Sequence, residues 1–444
     1  MKNPIIVLGA GRSATVLLNF VQNWAFAENF RFTVADIDAG LLRSKLADLP
    51  NADAQIFQAA EVKDLVQLIN GHQVAISLLP PPMHPLVARA CIQTKTNLVM
   101  ASYESDEMRA LIPEIDKAGI SVFNECGLDP GIDHMSAMEV IEDVHAKGGK
   151  ILKFHSYCGG LVADANDDNP FKYKISWNPR NVVLAGKGTA KYLENSRETL
   201  IPYHRLFESK VEVGVPDWGT FEGYANRDSV QYASLYGILG VESLLRGTLR
   251  KPGFCDRWNV FIQLGLTDDQ TQLHFPEGST YEDLLLTFLP GEKSSLQDRL
   301  EQFTQNTIWT DDIIKMGFSD KSAFPLKRQN GTPADYLQDL IVSQWVLKPT
   351  DKDMVVMLHD FEWELEGTRY QTIASLGMEG EDASNTAMAK TVGLPLGIIA
   401  KALFHKLIEK KGLVLPLTTN IYKHVLKELS NFGIQFQVFT QILK

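Results

Sequence analysis

The stretch that decides the fold stands near the start of the chain, at residues 5–14, and reads IIVLGAGRSA. A short apolar strand ends at Leu8, just before Gly9, and helical spacing of apolar residues begins at Ser13. Gly9 permits a tight turn, Gly11 lets a ligand approach the backbone, and Ala14 keeps the helix close to the strand. Free N–H groups at the helix start favour a phosphate. This G-x-G-x-x-A turn predicts a dinucleotide site.

Outward from this turn, short apolar strands alternate with helical segments over the first 130 residues. The clearest strands are expected at 5–8, 30–35, 74–79, 98–101 and 121–124. They lack period-2 alternation, which is typical of strands covered by helices on both faces. The pattern predicts an α/β fold that begins with a Rossmann-type, doubly wound parallel sheet as the dinucleotide-binding domain, residues 1–130.

The second part of the chain has longer and more aromatic segments. Those that indicate strands of a mixed sheet lie at 173–177, 221–224, 258–264 and 353–365. We therefore predict a second α+β domain over 131–382 for substrate binding and dimerisation, with a helical insertion at about 281–346. We expect residues 383–444, including a helical tail after Gly412, to complete the first domain.

The amino-acid composition argues against several classes of binding partner. The 444 residues carry 43 Lys and Arg against 54 Asp and Glu, a net charge of −11, which argues against nucleic acid. We found no run of 18 apolar residues, so no membrane span is expected. The four cysteines are far apart, which favours a reduced, cytoplasmic protein without a metal site; they are Cys91, Cys126, Cys158 and Cys255.

A carboxylate follows the second strand. Asp36 lies 25 positions beyond Gly11, near the place where ribose hydroxyls are read in dinucleotide folds. Such a carboxylate accepts hydrogen bonds from the ribose and repels a 2′-phosphate. The residue predicts NAD as the preferred cofactor, with a simple loop-initiating role as the alternative.

Further strings stand at 101–103 (ASY), 124–134 (NECGLDPGIDH), 156–161 (SYCGGL), 226–229 (NRDS), 246–250 (RGTLR) and 353–357 (DMVVM). In order and spacing, from about residue 4 to 405, the chain resembles the saccharopine reductases, which are the L-glutamate-forming saccharopine dehydrogenases. That family interconverts saccharopine with L-glutamate and 2-aminoadipate 6-semialdehyde, reducing an imine with NADPH. The resemblance implies an NADP-dependent oxidoreductase of lysine metabolism that acts on a CH–NH bond.

The resemblance also implies residue roles. Cofactor contacts fall on Ala10, Gly11, Arg12, Ser13, Met100, Ala101, Leu128, Asp129, Pro130 and Asn178. Substrate contacts fall on Ala101, Ser102, Asp129, Arg227, Thr248, Leu249 and Arg250. Where the family carries Arg for the 2′-phosphate, this chain has Asp36, Ile37 and Asp38, so the expectations of NADP and NAD conflict.

Three residues are candidates for the chemistry. Asp129 follows a strand end and could orient the amine, stabilise an iminium or relay a proton, with helix capping as its alternative. Cys158 is expected near the nicotinamide, or else packs as a small buried side chain. Tyr103 is a candidate proton donor. Arg227 and Arg250 are predicted to clamp substrate carboxylates, because guanidinium groups match them bidentately.

Two other functions fit parts of this pattern. A carboxynorspermidine dehydrogenase would couple an amine and an aldehyde by the same reduction, and the two arginines favour the dicarboxylate substrate over it. A non-enzymatic dinucleotide sensor would keep the glycine turn, although the intact strings argue against lost activity. Because the second domain is predicted to carry a large mixed sheet, we expect a homodimer. The other expected partner is a small-molecule amino-acid substrate.

Overall fold

The computed structural model describes residues 3–58, 61–291, 294–318 and 325–443. The chain divides into two compact units, Met1–Ile151 with Trp363–Lys444, and Leu152–Glu362. The first unit therefore continues past the expected boundary at residue 130, because a long buried helix follows the sheet there. Residues 292–293 and 319–324 of the expected helical insertion lie outside the described ranges.

Short strands alternate with helices in the N-terminal part of the chain, and several longer strands follow from residue 150 onward. The strands in chain order are β1 Ile5–Leu8, β2 Phe32–Asp36, β3 Ala52–Ile56, β4 Val74–Ser77, β5 Asn97–Met100, β6 Ser121–Phe123, β7 Lys150–Val162, β8 Ala190–Glu194, β9 Arg197–Ile201, β10 Val211–Val215, β11 Gly219–Ala225, β12 Ser243–Arg250, β13 Leu273–His274, β14 Asn330–Gly331, β15 Asp353–Leu365, β16 Thr368–Glu379, β17 Gly412–Val414 and β18 Gln437–Ile442.

The helices complete the outline. In chain order they are α1 Ala14–Ala27, α2 Ala39–Leu46, α3 Val62–Ile69, α4 His84–Thr94, α5 Asp106–Arg109, α6 Ile112–Ala118, α7 Ile132–Ala146, α8 Pro179–Val183, α9 Tyr203–Leu206, α10 Tyr232–Leu235, α11 Phe254–Leu264, α12 Tyr281–Phe288, α13 Leu296–Thr304, α14 Thr307–Ile313, α15 Pro333–Gln344, α16 Ala387–Phe404 and α17 Thr419–Ser430.

The first unit is built on a parallel sheet whose strand order is β17-β6-β5-β4-β1-β2-β3. In the register, Val7 of β1 lies between Val34 of β2 and Ile76 of β4. The chain winds one way from β1 to β3 and the other way from β4 to β6. The point of reversal opens a crevice at the carboxyl end of β1, where the glycine turn begins. This topology confirms the predicted doubly wound sheet.

One helix among the described residues, α16, is long and apolar enough to cross a membrane by length and composition alone. It is mostly buried inside the protein, with 78% of the relevant window covered. A Cβ at Gly393 would lie 2.9 Å from the Leu17 amide nitrogen, and one at Gly397 would lie 2.5 Å from a ring carbon of Phe20. These glycines let α16 pack closely on α1, so it is a core helix of the first unit.

The second unit contains a mixed sheet in the order β10-β11-β12-β7-β15. The strands β10, β11 and β12 pair antiparallel, whereas β12 and β7 are parallel. Helices α12 to α15 form the predicted insertion in the part of it that the structure describes. The mixed sheet and the helices confirm the predicted fold class of this part of the chain.

Three predicted elements differ from the structure. Residues 258–264 belong to α11 rather than to a strand, because Trp258, Phe261 and Ile262 recur at helical spacing and pack on one face. Residues 173–177 form no strand and contribute a single bridge from Ile175 to Val346. The tail after Gly412 contains a helix but ends in strand β18, which pairs antiparallel with β16.

Candidate active site

The glycine turn after β1 has the geometry that a dinucleotide phosphate requires. Gly9 adopts a φ of +97°, and a Cβ there would lie 3.2 Å from the carbonyl carbon of Leu78. A Cβ at Gly11 would meet nothing within 4 Å, so the space beside this backbone is open. Helix α1 begins at Ala14 with no side-chain cap from Ser13, which leaves N–H groups of its first turn for a ligand. The turn fits a pyrophosphate.

The carboxylate at the end of β2 is joined to this turn. Asp36 Oδ2 accepts a hydrogen bond from the Ala10 amide at 2.7 Å, and Oδ1 accepts one from the Asp38 amide at 3.0 Å. Asp38 caps α2 by accepting hydrogen bonds from two amides of its first turn. Ile37 is 64% exposed, and Arg12 is exposed on the turn itself. The strand end therefore offers one carboxylate to the turn and an apolar side chain to solvent.

The loops after β5 and β6 hold a tyrosine and a carboxylate in contact. The Tyr103 hydroxyl donates a hydrogen bond to Asp129 Oδ1 at 2.7 Å. The Glu125 amide donates to the Ser102 carbonyl at 3.1 Å, which joins the two loops through their backbones. The resemblance assigns ligand contacts to six residues in or beside these loops, and they differ in solvent exposure. Met100, Leu128 and Pro130 are buried, whereas Ala101, Ser102 and Asp129 are partly exposed. Two of the three candidate chemical residues thus form one pair.

The structure bears on the helix-capping role weighed for Asp129. Helix α7 begins after Gly131 without a side-chain cap, and the carboxylate that accepts the Gly131 amide, at 2.6 Å, is that of Asp133. Gly131 has a φ of +147°, and a Cβ there would lie 2.1 Å from the Gly127 carbonyl oxygen. Asp133 and the glycine therefore build the turn into α7, and Asp129, which accepts the Tyr103 hydroxyl, does not cap this helix.

A buried contact between a histidine and a carboxyl group, which sequence reasoning missed, lies behind this turn. His134 Nε2 lies 2.7 Å from Glu125 Oε2, and the two side chains are 1% and 5% exposed. The other oxygen of Glu125 accepts a hydrogen bond from the Glu104 amide at 2.9 Å. Glu125 thus connects α7 to the residue that follows Tyr103. The nine-residue separation of Glu125 and His134 matches no helical or strand repeat, so only the folded turn brings them together.

His84, which follows the prolines at the end of β4, is not available for proton transfer at neutral pH. Its side chain is 3% exposed, and Nε2 makes no hydrogen bond within the part of the chain that the structure describes. Burial lowers the pKa of His84 to about 4. The imidazole is therefore neutral in the folded protein, where it fills the start of α4.

Because of this buried imidazole, the stability of the protein should fall as the pH drops below 6.5. Between pH 6.5 and 4 the unfolded chain binds a proton at His84 that the folded protein does not, so acidification favours unfolding. We expect wild type to lose about 2 kcal/mol more between pH 7 and 5 than His84→Gln, which cannot ionise. Urea unfolding of both proteins at each pH measures this difference, and parallel pH profiles would contradict it.

In the second unit, three neighbouring strands place candidate residues in one row. Thr248 of β12 pairs with Tyr224 of β11 on one side and with Cys158 of β7 on the other. Since side chains alternate along a strand, Arg250 shares the face of Thr248. The sequence strings contain Cys158, Thr248 and Arg250 but not Tyr224, and only the register shows that these residues lie side by side.

Arg250 is a buried cation in an aromatic surrounding. It is 3% exposed, and its guanidinium carbon lies 5.2, 5.3 and 5.9 Å from the ring centroids of Phe254, Tyr173 and Tyr224. Nη1 donates to the Leu249 carbonyl at 3.2 Å, and Nε makes no hydrogen bond to the residues that the structure describes. No acidic side chain pairs with Arg250 within the described ranges. A buried charge is ordinarily paired, so this guanidinium is suited to an anionic ligand.

Three other residues to which the resemblance assigns ligand contacts lie in surroundings unlike that of Arg250. Leu249 is fully buried on the opposite face of the sheet, where a Cβ at Gly159 would lie 2.9 Å from it, so it offers only backbone atoms to the face of Arg250. Asn178 Oδ1 accepts the Arg180 amide at 2.9 Å and caps α8. Arg227 is exposed and has a left-handed backbone, with a φ of +52°.

Cys158 is 7% exposed and forms no disulfide. It lies close enough to Arg250 for the two groups to interact electrostatically. The cysteine is thus part of the Arg250 face rather than of an apolar core alone. No group of His, Cys, Asp and Glu residues among the described ranges could hold a metal ion.

The doubly wound sheet with its open glycine turn defines a dinucleotide-binding domain of the kind that dehydrogenases carry. Two family models match the chain, the saccharopine dehydrogenase NADP binding domain over residues 5–123 and the saccharopine dehydrogenase C-terminal domain over residues 127–434. The chain belongs to the saccharopine dehydrogenase family. This confirms the resemblance seen in its sequence strings.

Two relatives are similar to this chain over nearly all of its length. Saccharopine dehydrogenase (NADP+, L-glutamate-forming) of Saccharomyces cerevisiae is 32% identical, covering 98% of both chains. Alpha-aminoadipic semialdehyde synthase, mitochondrial, of Rattus norvegicus is 33% identical over 99% of this chain, which spans 48% of that longer protein.

Two solved structures share the fold of this chain. The apo saccharopine dehydrogenase (L-Glu forming) of Saccharomyces cerevisiae superposes with a TM-score of 0.87 at 30% identity, covering 99% of this chain and 100% of that one. A homospermidine synthase of Legionella pneumophila in complex with NAD gives 0.59 at 12% identity, covering 99% and 92%, and shares the fold alone.

Proposed function

We propose that this protein interconverts saccharopine with L-glutamate and 2-aminoadipate 6-semialdehyde, as the name of its yeast relative states for that enzyme. The observation that carries the proposal is Arg250, a buried guanidinium without an acidic partner in the described ranges. Saccharopine is a tricarboxylate, and a forked guanidinium binds a carboxylate through two parallel hydrogen bonds. A buried cation of this kind favours such a substrate over a diamine.

In the direction of saccharopine oxidation, a hydride leaves the carbon of the CH–NH group and the amine gives up its proton, which leaves an imine. Water then adds to the imine and the C–N bond breaks, releasing glutamate and the semialdehyde. When bound, the oxidised nicotinamide accepts the hydride. Asp129 accepts the proton or steadies the iminium charge, and Tyr103 donates a hydrogen bond that orients the Asp129 carboxylate.

The test is a turnover assay with the full-length protein. Saccharopine is supplied with NAD+ or NADP+, and glutamate is measured beside the absorbance of the reduced cofactor. Glutamate formed in equal amount to the reduced cofactor supports the proposal. Turnover of a diamine and aldehyde pair but not of saccharopine would favour a carboxynorspermidine dehydrogenase, and absence of any turnover would favour a sensor.

For the cofactor we propose a preference for NADH over NADPH. The matching family model and the yeast relative carry NADP in their names, but this chain has Asp36 and the exposed Ile37 at the end of β2. A 2′-phosphate beside a carboxylate at a few ångströms costs several kcal/mol at an effective dielectric of about 20. Screening and side-chain movement reduce this to about 1–3 kcal/mol, or roughly tenfold or more.

The preference is measured as the ratio of kcat/KM for NADH to that for NADPH in the reductive direction. We expect a ratio of about ten or more for wild type, and a ratio well below that for Ile37→Arg, which adds a cation at the strand end. Asp36 is a poorer target because it also accepts the Ala10 amide. Ile308→Arg, at an isoleucine that is 66% exposed on α14, is the matched control for an added surface charge. A wild-type ratio of one or less would refute the preference.

A further inference from the structure

Glu125 holds the short span of backbone that contains Tyr103 at both of its ends. Its amide donates a hydrogen bond to the Ser102 carbonyl at 3.1 Å, and its side-chain Oε1 accepts one from the Glu104 amide at 2.9 Å. Tyr103 lies between these two anchored residues, and its hydroxyl donates to Asp129 Oδ1 at 2.7 Å. The place where this hydroxyl meets Asp129 therefore depends on both contacts.

The side chain of Glu125 is itself fixed from behind. It is 4% exposed, and Nε2 of His134 on α7 lies 2.7 Å from its Oε2, so each carboxyl oxygen has a partner. Glu125 also has a left-handed backbone, with a φ of +59°, which is unfavourable for a residue with a long side chain. Backbone strain of this kind persists where the surroundings enforce it, and it is concentrated at active sites. Glycine would adopt this conformation without strain, so the strained residue is explained by what its side chain does.

We propose that Glu125 is a positioning residue for the reaction, and that it acts by holding the Tyr103 hydroxyl against Asp129. The inference rests on the proposed function, which gives the pair of Tyr103 and Asp129 its part in proton transfer. Without the carboxyl oxygen, the Glu104 amide would lose its acceptor, and the loop would shift to find another. A displacement of about 1 Å near the reacting atoms can lower a rate by about 100-fold.

Two substitutions of Glu125 separate its hydrogen bonds from its charge. Glu125→Met removes both oxygens, and we expect it to lower kcat for saccharopine about 10- to 100-fold with a smaller change in KM. Affinity for the cofactor should change little, because the Cys126 amide anchors the Met100 carbonyl at the end of β5 without this side chain. Glu125→Gln keeps an oxygen for the Glu104 amide and offers its own N–H to His134, so its kcat should stay within about threefold of wild type.

A double-mutant cycle with Tyr103→Phe distinguishes positioning from a general loss of structure. If Glu125 acts through the Tyr103 hydroxyl, Glu125→Met cannot cost more in kcat than Tyr103→Phe, and in the Tyr103→Phe background it should cost no more than about twofold. Glu142→Met is the matched control, because Glu142 is a carboxyl group on α7 that accepts hydrogen bonds from the hydroxyls of Thr419 and Tyr422. It should lower the melting temperature and leave kcat unchanged in both backgrounds.

Crystal structures of the Glu125 variants give a readout that does not depend on turnover. The Tyr103 hydroxyl should stay within hydrogen-bonding distance of Asp129 in Glu125→Gln and move out of reach in Glu125→Met. If wild type does not turn over saccharopine, the proposed function fails, and this distance still decides whether Glu125 positions the pair.

Four results would overturn the inference while the function stands. They are an unchanged contact in Glu125→Met, a normal kcat in that variant together with a lowered melting temperature, losses that multiply in the double mutant, and a kcat of Glu125→Gln more than about tenfold below wild type. The last result would assign the effect to the charge of Glu125, and it can be measured even if Glu125→Met does not fold.

Discussion

Asp129→Asn is expected to lower kcat for saccharopine by about 100- to 10,000-fold, the range typical of a lost proton-transfer group. The substitution keeps the shape of the side chain and an oxygen that can still accept the Tyr103 hydroxyl. The turn should therefore stay intact, and the melting temperature should change by only a few degrees. Steady-state kinetics together with a thermal melt measure both effects.

Asp133→Asn is the control for this prediction. Asp133 lies four residues farther along the same turn and accepts the Gly131 amide, so its charge serves the start of α7. We expect it to lower the melting temperature with kcat preserved. If Asp129→Asn retained its turnover while it melted early, Asp129 would be a structural residue and the assignment of chemistry to it would be wrong.

Arg250→Met should lower kcat/KM for saccharopine by about 2–5 kcal/mol, or roughly 30- to several thousand-fold, because the substrate carboxylate would be left unpaired in a buried site. Methionine fills much of the space between the rings of Tyr173 and Phe254 and leaves no buried charge. The free protein should thus be at least as stable as wild type. Arg250→Lys should recover little activity, since an ammonium cannot reproduce the forked geometry.

Arg227→Met gives the comparison. Arg227 is exposed, so water screens its charge and its loss should cost less than that of Arg250. Affinity for the cofactor, measured by fluorescence titration, should be unchanged in both variants. A near-normal kcat/KM in Arg250→Met would remove the arginine from the substrate site.

The sequence was most informative where local pattern and fold coincide. The strand at Asp353–Leu365 was predicted at its observed limits, and the glycine turn was placed correctly, because both depend on residues adjacent in the chain. Trp258–Leu264 was misread because aromatic content outweighed the helical spacing of its apolar residues. Strand β18 was missed because a six-residue exposed strand has no buried face to mark it.

The candidate site was predictable in its residues but not in its pairings. The contact between Tyr103 and Asp129 depends on two loops that meet only in the folded sheet. The row that joins Tyr224 to Thr248 depends on strand register, in which a shift of one residue would turn the side chain to the other face. Glu125 and His134 come within hydrogen-bonding distance through a turn that no hydrophobic period in the sequence marks.

The first unit is discontinuous, and this has a consequence for how the protein is made. Strand β17 pairs with β6, and α16 packs on α1, yet both arrive only after the whole of Leu152–Glu362. On the ribosome, the apolar side of α1 around Leu17 stays uncovered until that long insertion has emerged, and domains otherwise tend to fold as units during synthesis. A nascent chain halted at residue 380 would therefore carry a finished second unit beside an unfinished nucleotide domain. Premature termination late in the message removes part of the cofactor-binding fold, and expressing residues 1–151 alone would not yield that fold.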